Sequence, residues 1–214
     1  MKTNSAEGIR PQGRPPREGA ADIRQQIMEA AVKLFASQGY AATPVREIAN
    51  IVGVTPAMIH YYFGSKESLL HAALEQSLEP LAEAVKRMKN NREAPLQDIV
   101  SMIFDAFSRQ PNLPVLMARE VLLPGGAMQE YFRINFASRL GGALPGLLEA
   151  EQTRGRMRED ADPRLTAQAL FGLCIFPFIS RSLAEPVLGI SYDEAGLRKI
   201  EQNIKETLNR GLDP

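Results

Sequence analysis

The stretch that decides the fold is residues 27–70, which read IMEAAVKLFASQGYAATPVREIANIVGVTPAMIHYYFGSKESLL. Its first part repeats apolar residues at helical spacing, which predicts a helix that ends at Gly39. The pairs Thr43-Pro44 and Thr55-Pro56 then repeat one start signal, an N-cap residue followed by proline at the first helical position. The sequence therefore predicts a long helix followed by two short ones.

Two short helices joined by a glycine-containing turn, behind a supporting helix, are typical of a helix-turn-helix, here over residues 44–63. In the second short helix Ile59 and Phe63 are expected to point inward, with His60 and Tyr61 on the opposite side. Small residues at its start would let it approach the base edges in a DNA major groove. The pattern thus indicates DNA binding.

The same residues resemble the DNA-binding domain of TetR-type transcriptional regulators, through AVKLFASQGYAATPVREIA and then GVTPAMIHYYFGSKESLL. The family more often has Tyr and then His where this chain has His60 and Tyr61. The resemblance covers about the first third of the chain and implies an all-α fold of about nine helices. It divides the chain into an arm (1–20), a homeodomain-like DNA-binding domain (21–81) and a helical ligand-binding and dimerisation body (82–214).

The candidate DNA-binding residues follow from their positions and from this resemblance. Thr43 and Thr55 either only cap their helices or also add a phosphate contact at the helix N-terminus. The resemblance implies a phosphate contact for Lys66, and for Arg46 a base or phosphate contact, with a solvated side chain as the alternative. His60 and Tyr61 contact DNA unless they are packed inside the domain. The full set is Thr43, Val45, Arg46, Thr55, Pro56, Ala57, Met58, His60, Tyr61, Tyr62 and Lys66.

The distribution of charge agrees with this interpretation. The net charge is zero, but residues 1–66 carry eight basic and five acidic side chains, so this part is basic and the rest acidic. The arm includes Gly13-Arg14-Pro15-Pro16-Arg17, which resembles the core of a minor-groove AT-hook peptide. Arg14 and Arg17 therefore either enter a minor groove or belong to a solvated tail.

Composition argues against several other classes of protein. The 214 residues include one cysteine and two histidines, so we expect no internal disulfide, no cysteine-rich metal site and no cofactor. No Gly-rich phosphate loop or Ser-His-Asp set stands out, which disfavours an enzyme. We find no run of 18 apolar residues and no signal-peptide core, so we expect no membrane partner and a cytoplasmic location.

From about residue 94 onward, the pattern of apolar residues predicts five further helices. One spans the nearly continuous apolar run 165–179, and Ser191-x-x-Glu194 predicts a capping box for the last helix. In the family the last two helices of each subunit pack as a four-helix bundle, which implies a homodimer here. The alternative is that 165–179 is an internal core helix with no role in dimerisation.

Flexible and aromatic apolar side chains in this body suit a pocket for a small hydrophobic or aromatic effector. Ordinary core packing is the alternative for each of them. The candidates are Met102, Phe104, Phe107, Met117, Met128, Phe132, Phe136, Cys174, Phe176 and Phe178.

Two functional hypotheses follow. The first is a homodimeric repressor released from a palindromic double-stranded DNA operator by a hydrophobic ligand; control of an efflux operon is a common role among regulators of this type. Its two recognition helices would lie ~34–36 Å apart, one turn of DNA. The second is a constitutive DNA-binding factor without an inducer, which a body lacking a cavity would favour.

Overall fold

The computed structural model describes residues 17–90, 95–137 and 141–212, and over these ranges the chain contains ten α-helices and no β-strand. The all-α fold is confirmed. The helices are α1 (Arg17–Gln38), α2 (Val45–Val52), α3 (Pro56–Phe63), α4 (Lys66–Asn90), α5 (Leu96–Arg109), α6 (Asn112–Met117), α7 (Gln129–Asn135), α8 (Leu144–Thr153), α9 (Pro163–Leu188) and α10 (Glu194–Leu212).

The N-terminal module forms as its periodicity predicts. The apolar stripe of α1, including Ile27, Ala31 and Phe35, is fully buried against α2 and α4. Gly53 ends α2 with a φ of 76°, a left-handed conformation that glycine adopts without steric cost. Helix α1 begins at Arg17, so the predicted boundary of the arm at residue 20 falls inside a helix.

The two threonines predicted as caps behave differently. Thr55 caps α3, and its hydroxyl accepts a hydrogen bond from the backbone N–H of Met58 at 3.3 Å. The prediction for Thr43 is wrong: its buried hydroxyl donates to the carbonyl of Gly39 at 2.8 Å, and Pro44 is the N-cap of α2. Thr43 therefore satisfies the end of α1, and its side chain is not open to phosphate.

Helix α4 joins the module to the body. Ser65 caps its start, with its hydroxyl accepting from the N–H of Ser68 at 3.0 Å. The helix continues through Pro80 rather than ending there, and it crosses the domain boundary predicted between residues 81 and 82. Helix α4 packs on α1 and on α5, so one rigid element belongs to both parts.

In the body, α9 packs against α5, α6, α8 and α10. A π-helical turn, Ala118–Leu122, follows α6 directly, and we call it the connecting turn. Between the connecting turn and α9 lie the shorter helices α7 and α8. The capping box predicted at Ser191 is wrong, because the carboxylate of Asp193 accepts the N–H of Gly196 at 2.7 Å and α10 begins at Glu194.

Candidate nucleic-acid interface

Helix α3 has one side anchored in the module and the other open to solvent. Ile59 and Phe63 are buried, whereas Tyr61 is 76% exposed. We call the exposed set Pro56, Ala57, His60 and Tyr61 the recognition face. Its side chains are small at the N-terminal end of the helix and aromatic toward the C-terminal end. This arrangement suits insertion of the helix into a major groove.

Hydrogen bonding and ring contacts orient the aromatic part of this face. The Nδ1–H of His60 donates to the carbonyl oxygen of Gly64 at 3.0 Å, because a carbonyl can only accept. In the neutral ring this leaves Nε2 as an acceptor. Tyr62 is half-buried and meets Tyr61 edge to face, with ring centroids 5.4 Å apart. Tyr62 therefore supports the exposed ring of Tyr61, and Met58 is likewise half-buried.

Cationic side chains flank the recognition face. Arg46 is exposed on the first turn of α2, beside the half-buried Val45, and α2 has no side-chain cap on its N–H groups. Lys66 lies over the ring of Tyr40, with its Nζ 4.4 Å from the ring centroid. Burial, followed by the carboxylates of Glu67 and Glu120, raises the pKa of Tyr40 above its ordinary value, so the ring stays neutral beneath the ammonium.

Arg24 was missed by the sequence reasoning. Its guanidinium lies 5.1 Å from the centroid of the Phe63 ring, so α1 places another exposed cation beside the end of α3. Its position after Ile23, just off the buried stripe, is the signal that could have found it. Of the two arm candidates, Arg14 lies outside the described residues, and Arg17 is the first residue of α1.

The body contains a largely apolar cavity of about 320 Å³ between α4, α5, α6, the connecting turn, α7, α8 and α9. Two of the predicted pocket residues, Met117 and Phe132, line it. The other residues that line it include Leu81, Val85, Ile103, Leu122, Leu144, Arg164, Gln168 and Phe171.

The structure does not bring the remaining pocket candidates to this cavity. Phe104, Phe107, Met128, Phe136 and Cys174 are buried core residues, and Met102 is half-buried. Phe104 and Phe107 pack on Phe178, with centroids 5.1 and 6.0 Å apart. Burial, with a smaller effect of the Glu201 carboxylate, raises the pKa of Cys174 to about 12. Phe176 is 64% exposed on the outer face of α9.

That outer face of α9 is apolar and open. Leu165, Phe176, Leu183 and Val187 are exposed at helical spacing, and we call them the α9 apolar face. Next to it an open groove of about 1,110 Å³ separates part of α9 from α10. Among the described residues α9 is also the helix whose length and composition would allow it to cross a membrane. An exposed apolar stripe of this kind typically marks a protein interface.

The connecting turn joins the body to the N-terminal module. Arg119 donates from Nη1 to the carbonyl oxygens of Ala36 and Ser37, at 3.0 and 2.6 Å, at the end of α1. The buried carboxylate of Glu120 accepts the backbone N–H of Tyr40 at 2.8 Å and that of Ala127 at 3.2 Å. The turn therefore holds the segment between α1 and α2.

Known proteins agree with this architecture. The chain is 29% identical over 157 residues to the HTH-type transcriptional repressor NicS of Pseudomonas putida, covering 72% of this chain and 74% of that protein. The ketosteroid transcriptional regulator KstR2 of Mycobacterium tuberculosis aligns with a TM-score of 0.69 at 19% identity, over 89% of this chain and 95% of that one. FadR of Bacillus subtilis, solved in complex with stearoyl-CoA, aligns with a TM-score of 0.66 at 22% identity, over 87% of this chain and 98% of FadR.

Family models match both parts of the chain. The model of bacterial regulatory proteins of the tetR family matches residues 27–73, which contain the helix-turn-helix. The model of a tetracyclin repressor-like C-terminal domain matches residues 93–208, more than half of the chain. With a helix-turn-helix before an all-helical body, this protein belongs to the TetR family of DNA-binding transcriptional regulators.

Proposed function

We propose that this regulator is a cytoplasmic homodimeric repressor that binds a palindromic operator and is released by a small apolar or aromatic effector in the body cavity. The observation that carries the proposal is the exposed recognition face of α3, held from behind by Ile59 and Phe63. Regulators of this family act on DNA operators as dimers and respond to ligand effectors. The operator sequence and the effector are the parts specific to this chain.

Several groups around the recognition face would carry DNA binding. Ala57 and Pro56 would approach base edges, and Tyr61 and His60 would reach the groove wall or the flanking backbone. Arg46, Lys66 and Arg24 would contact phosphates, which position the helix without reading sequence. The open N–H groups at the start of α2 would add a further phosphate contact.

The cavity favours the inducible regulator over the constitutive DNA-binding factor. Its volume of about 320 Å³ lies within the ~300–1,000 Å³ typical of small-molecule sites. The connecting turn would transmit occupancy, since Leu122 lines the cavity while Arg119 and Glu120 of the same turn hold the end of α1 and Tyr40. A ligand with different affinity for two arrangements of this turn would weaken DNA binding about 5–150-fold, the usual range of allosteric coupling.

The regulated genes belong to the proposal as well. Control of an efflux operon stays a prediction from the resemblance alone. Two structural neighbours are instead a ketosteroid regulator and a FadR bound to stearoyl-CoA. This similarity favours a metabolic operon whose enzymes act on largely apolar molecules, which also suits the lining of the cavity.

The DNA interface can be tested with Tyr61→Ala and Lys66→Ala on duplexes selected from a random pool. Both changes should weaken binding to every selected site, by about 5–100-fold for Tyr61→Ala, because this ring contacts DNA at each half-site. Lys66→Ala should also reduce the slope of log K against log salt concentration by about one unit per lost phosphate contact. Fluorescence anisotropy at several salt concentrations measures both effects.

Lys86→Ala is a matched control, because Lys86 is an exposed lysine on the same helix as Lys66 but lies in its C-terminal half. It should leave the affinity and the slope at wild-type values. If Tyr61→Ala and Lys66→Ala both bind like the wild type, the interface lies on another face of the protein.

A further inference from the structure

The lining of the body cavity is electrically asymmetric. Eleven of the thirteen residues that line it are apolar, and the two polar ones, Arg164 and Gln168, lie one turn apart on α9. Residues at i and i+4 of a helix share one face, and both residues are exposed, so the guanidinium and the amide form a single, solvent-facing polar end of an otherwise apolar space. Among the residues that the structure describes, no carboxylate lines the cavity.

Arg164 is exposed to solvent, and the two carboxylates nearest to it in the sequence are engaged by other groups. The carboxylate of Asp160 pairs with Arg158, and Asp162 caps α9 by accepting the backbone N–H of Arg164 at 2.7 Å. Among the described residues, the side chain of Arg164 has no ion-pair partner. A guanidinium presents a planar set of donors that matches a carboxylate or phosphate, and the amide of Gln168 can add one more donor.

We propose that the effector is an amphipathic anion, whose apolar body fills the cavity and whose anionic group is bound by Arg164 with help from Gln168. This inference rests on the proposed function. It adds that the effector, besides its apolar part, carries a negative charge. The anionic group can be the carboxylate of a free organic acid or the phosphates of a thioester conjugate. The volume of about 320 Å³, near the lower end for ligand sites, favours a short apolar body.

Isothermal titration calorimetry on the full-length chain without DNA tests this inference, with octanoate, 1-octanol and octanoyl-CoA as probes. Octanoate should bind at least about tenfold more tightly than 1-octanol, because a hydrogen bond to a charged group is stronger than one to a neutral group. Tighter binding of octanoyl-CoA than of octanoate would identify the phosphates as the anion, and the reverse order would identify the free carboxylate. Either order supports an anionic effector.

Arg164→Gln should weaken binding of the anions by about 10–100-fold and leave 1-octanol unchanged. Lys86→Gln is the control, because it removes an exposed positive charge beside the cavity-lining Val85 and should preserve the preference for anions. Equal binding of octanoate and 1-octanol, an Arg164→Gln variant that keeps the preference, or no binding of any probe would overturn the inference.

A separate measurement distinguishes this inference from the proposed function. Each probe is titrated into the wild-type chain bound to a selected duplex. Arg164-dependent binding of octanoate without release of DNA would support the charge-selective cavity and contradict the inducible repressor. Release of DNA by 1-octanol, but not by the anions, would support the inducible repressor and contradict the charge-selective cavity.

Discussion

Replacing Phe176 by glutamate should convert a dimer into monomers and weaken operator binding by about 100-fold or more. Phe176 is 64% exposed at the middle of the α9 apolar face, and Leu183 and Val187 are exposed to a similar degree. Burying a carboxylate among apolar side chains is strongly unfavourable unless a partner pairs with it. A monomer reaches one half-site at a time and loses the gain of about 10²–10⁴ that linked binding provides.

Sedimentation velocity measures the oligomeric state of this variant, and anisotropy on a selected duplex measures its affinity. Ile134→Glu is the matched control, because Ile134 is 62% exposed on α7, away from the α9 apolar face. This control should remain dimeric and bind DNA normally. A Phe176→Glu variant that still sediments as a dimer would show that the subunits meet through another surface.

Replacing Glu120 by alanine should lower the stability of the protein, because it removes the hydrogen-bond acceptor of two backbone N–H groups. The carboxylate accepts from Tyr40 in the N-terminal module and from Ala127 in the body, and it is buried. Leaving a buried donor unsatisfied costs about 1–3 kcal/mol, and because both of these hydrogen bonds are only partly buried, we expect the free energy of unfolding to fall by about 2–4 kcal/mol. For a chain of this length the melting temperature should fall by roughly 4–16 °C.

Hydrogen exchange shows where this loss occurs. The amide of Tyr40 should exchange faster in Glu120→Ala. Amides in the core of α5 should exchange faster only in proportion to the loss of global stability. Glu130→Ala serves as the control, since Glu130 is an exposed carboxylate that pairs with Arg133 on α7, and its melting temperature should change little. Unchanged exchange at Tyr40 would mean that the connecting turn does not hold the segment between α1 and α2.

The sequence was sufficient for the elements whose signals are local. Helix α3 begins after Thr55 and ends at Phe63, the bounds that the sequence predicts, because a cap and a proline act within one turn of the chain. Thr43 carried the same signal and was assigned wrongly, since its hydroxyl turns back to Gly39 at the end of α1. A local pattern does not show which of two neighbouring helix ends a side chain will satisfy.

Contacts between distant residues could not be predicted in this way. Arg119 and Glu120 reach partners about 80 residues earlier in the chain, and neither has an unusual local pattern. The cavity was predicted from aromatic and sulfur-containing residues, but Phe104 and Phe107 instead pack on Phe178. Aliphatic residues of α4 and the polar end at Arg164 complete the lining, and only the packing of six helices brings them together.

Selection of bound sites from random duplex DNA by the purified chain tests the central claim, that paired recognition faces read DNA in successive major grooves. We expect enrichment of an inverted repeat whose half-sites are centred about one helical turn, or a small multiple of it, apart. Mutating either half of the enriched site should weaken binding. A pool that stays as random as the input, or a single unpaired motif bound as tightly as any repeat, would contradict the account.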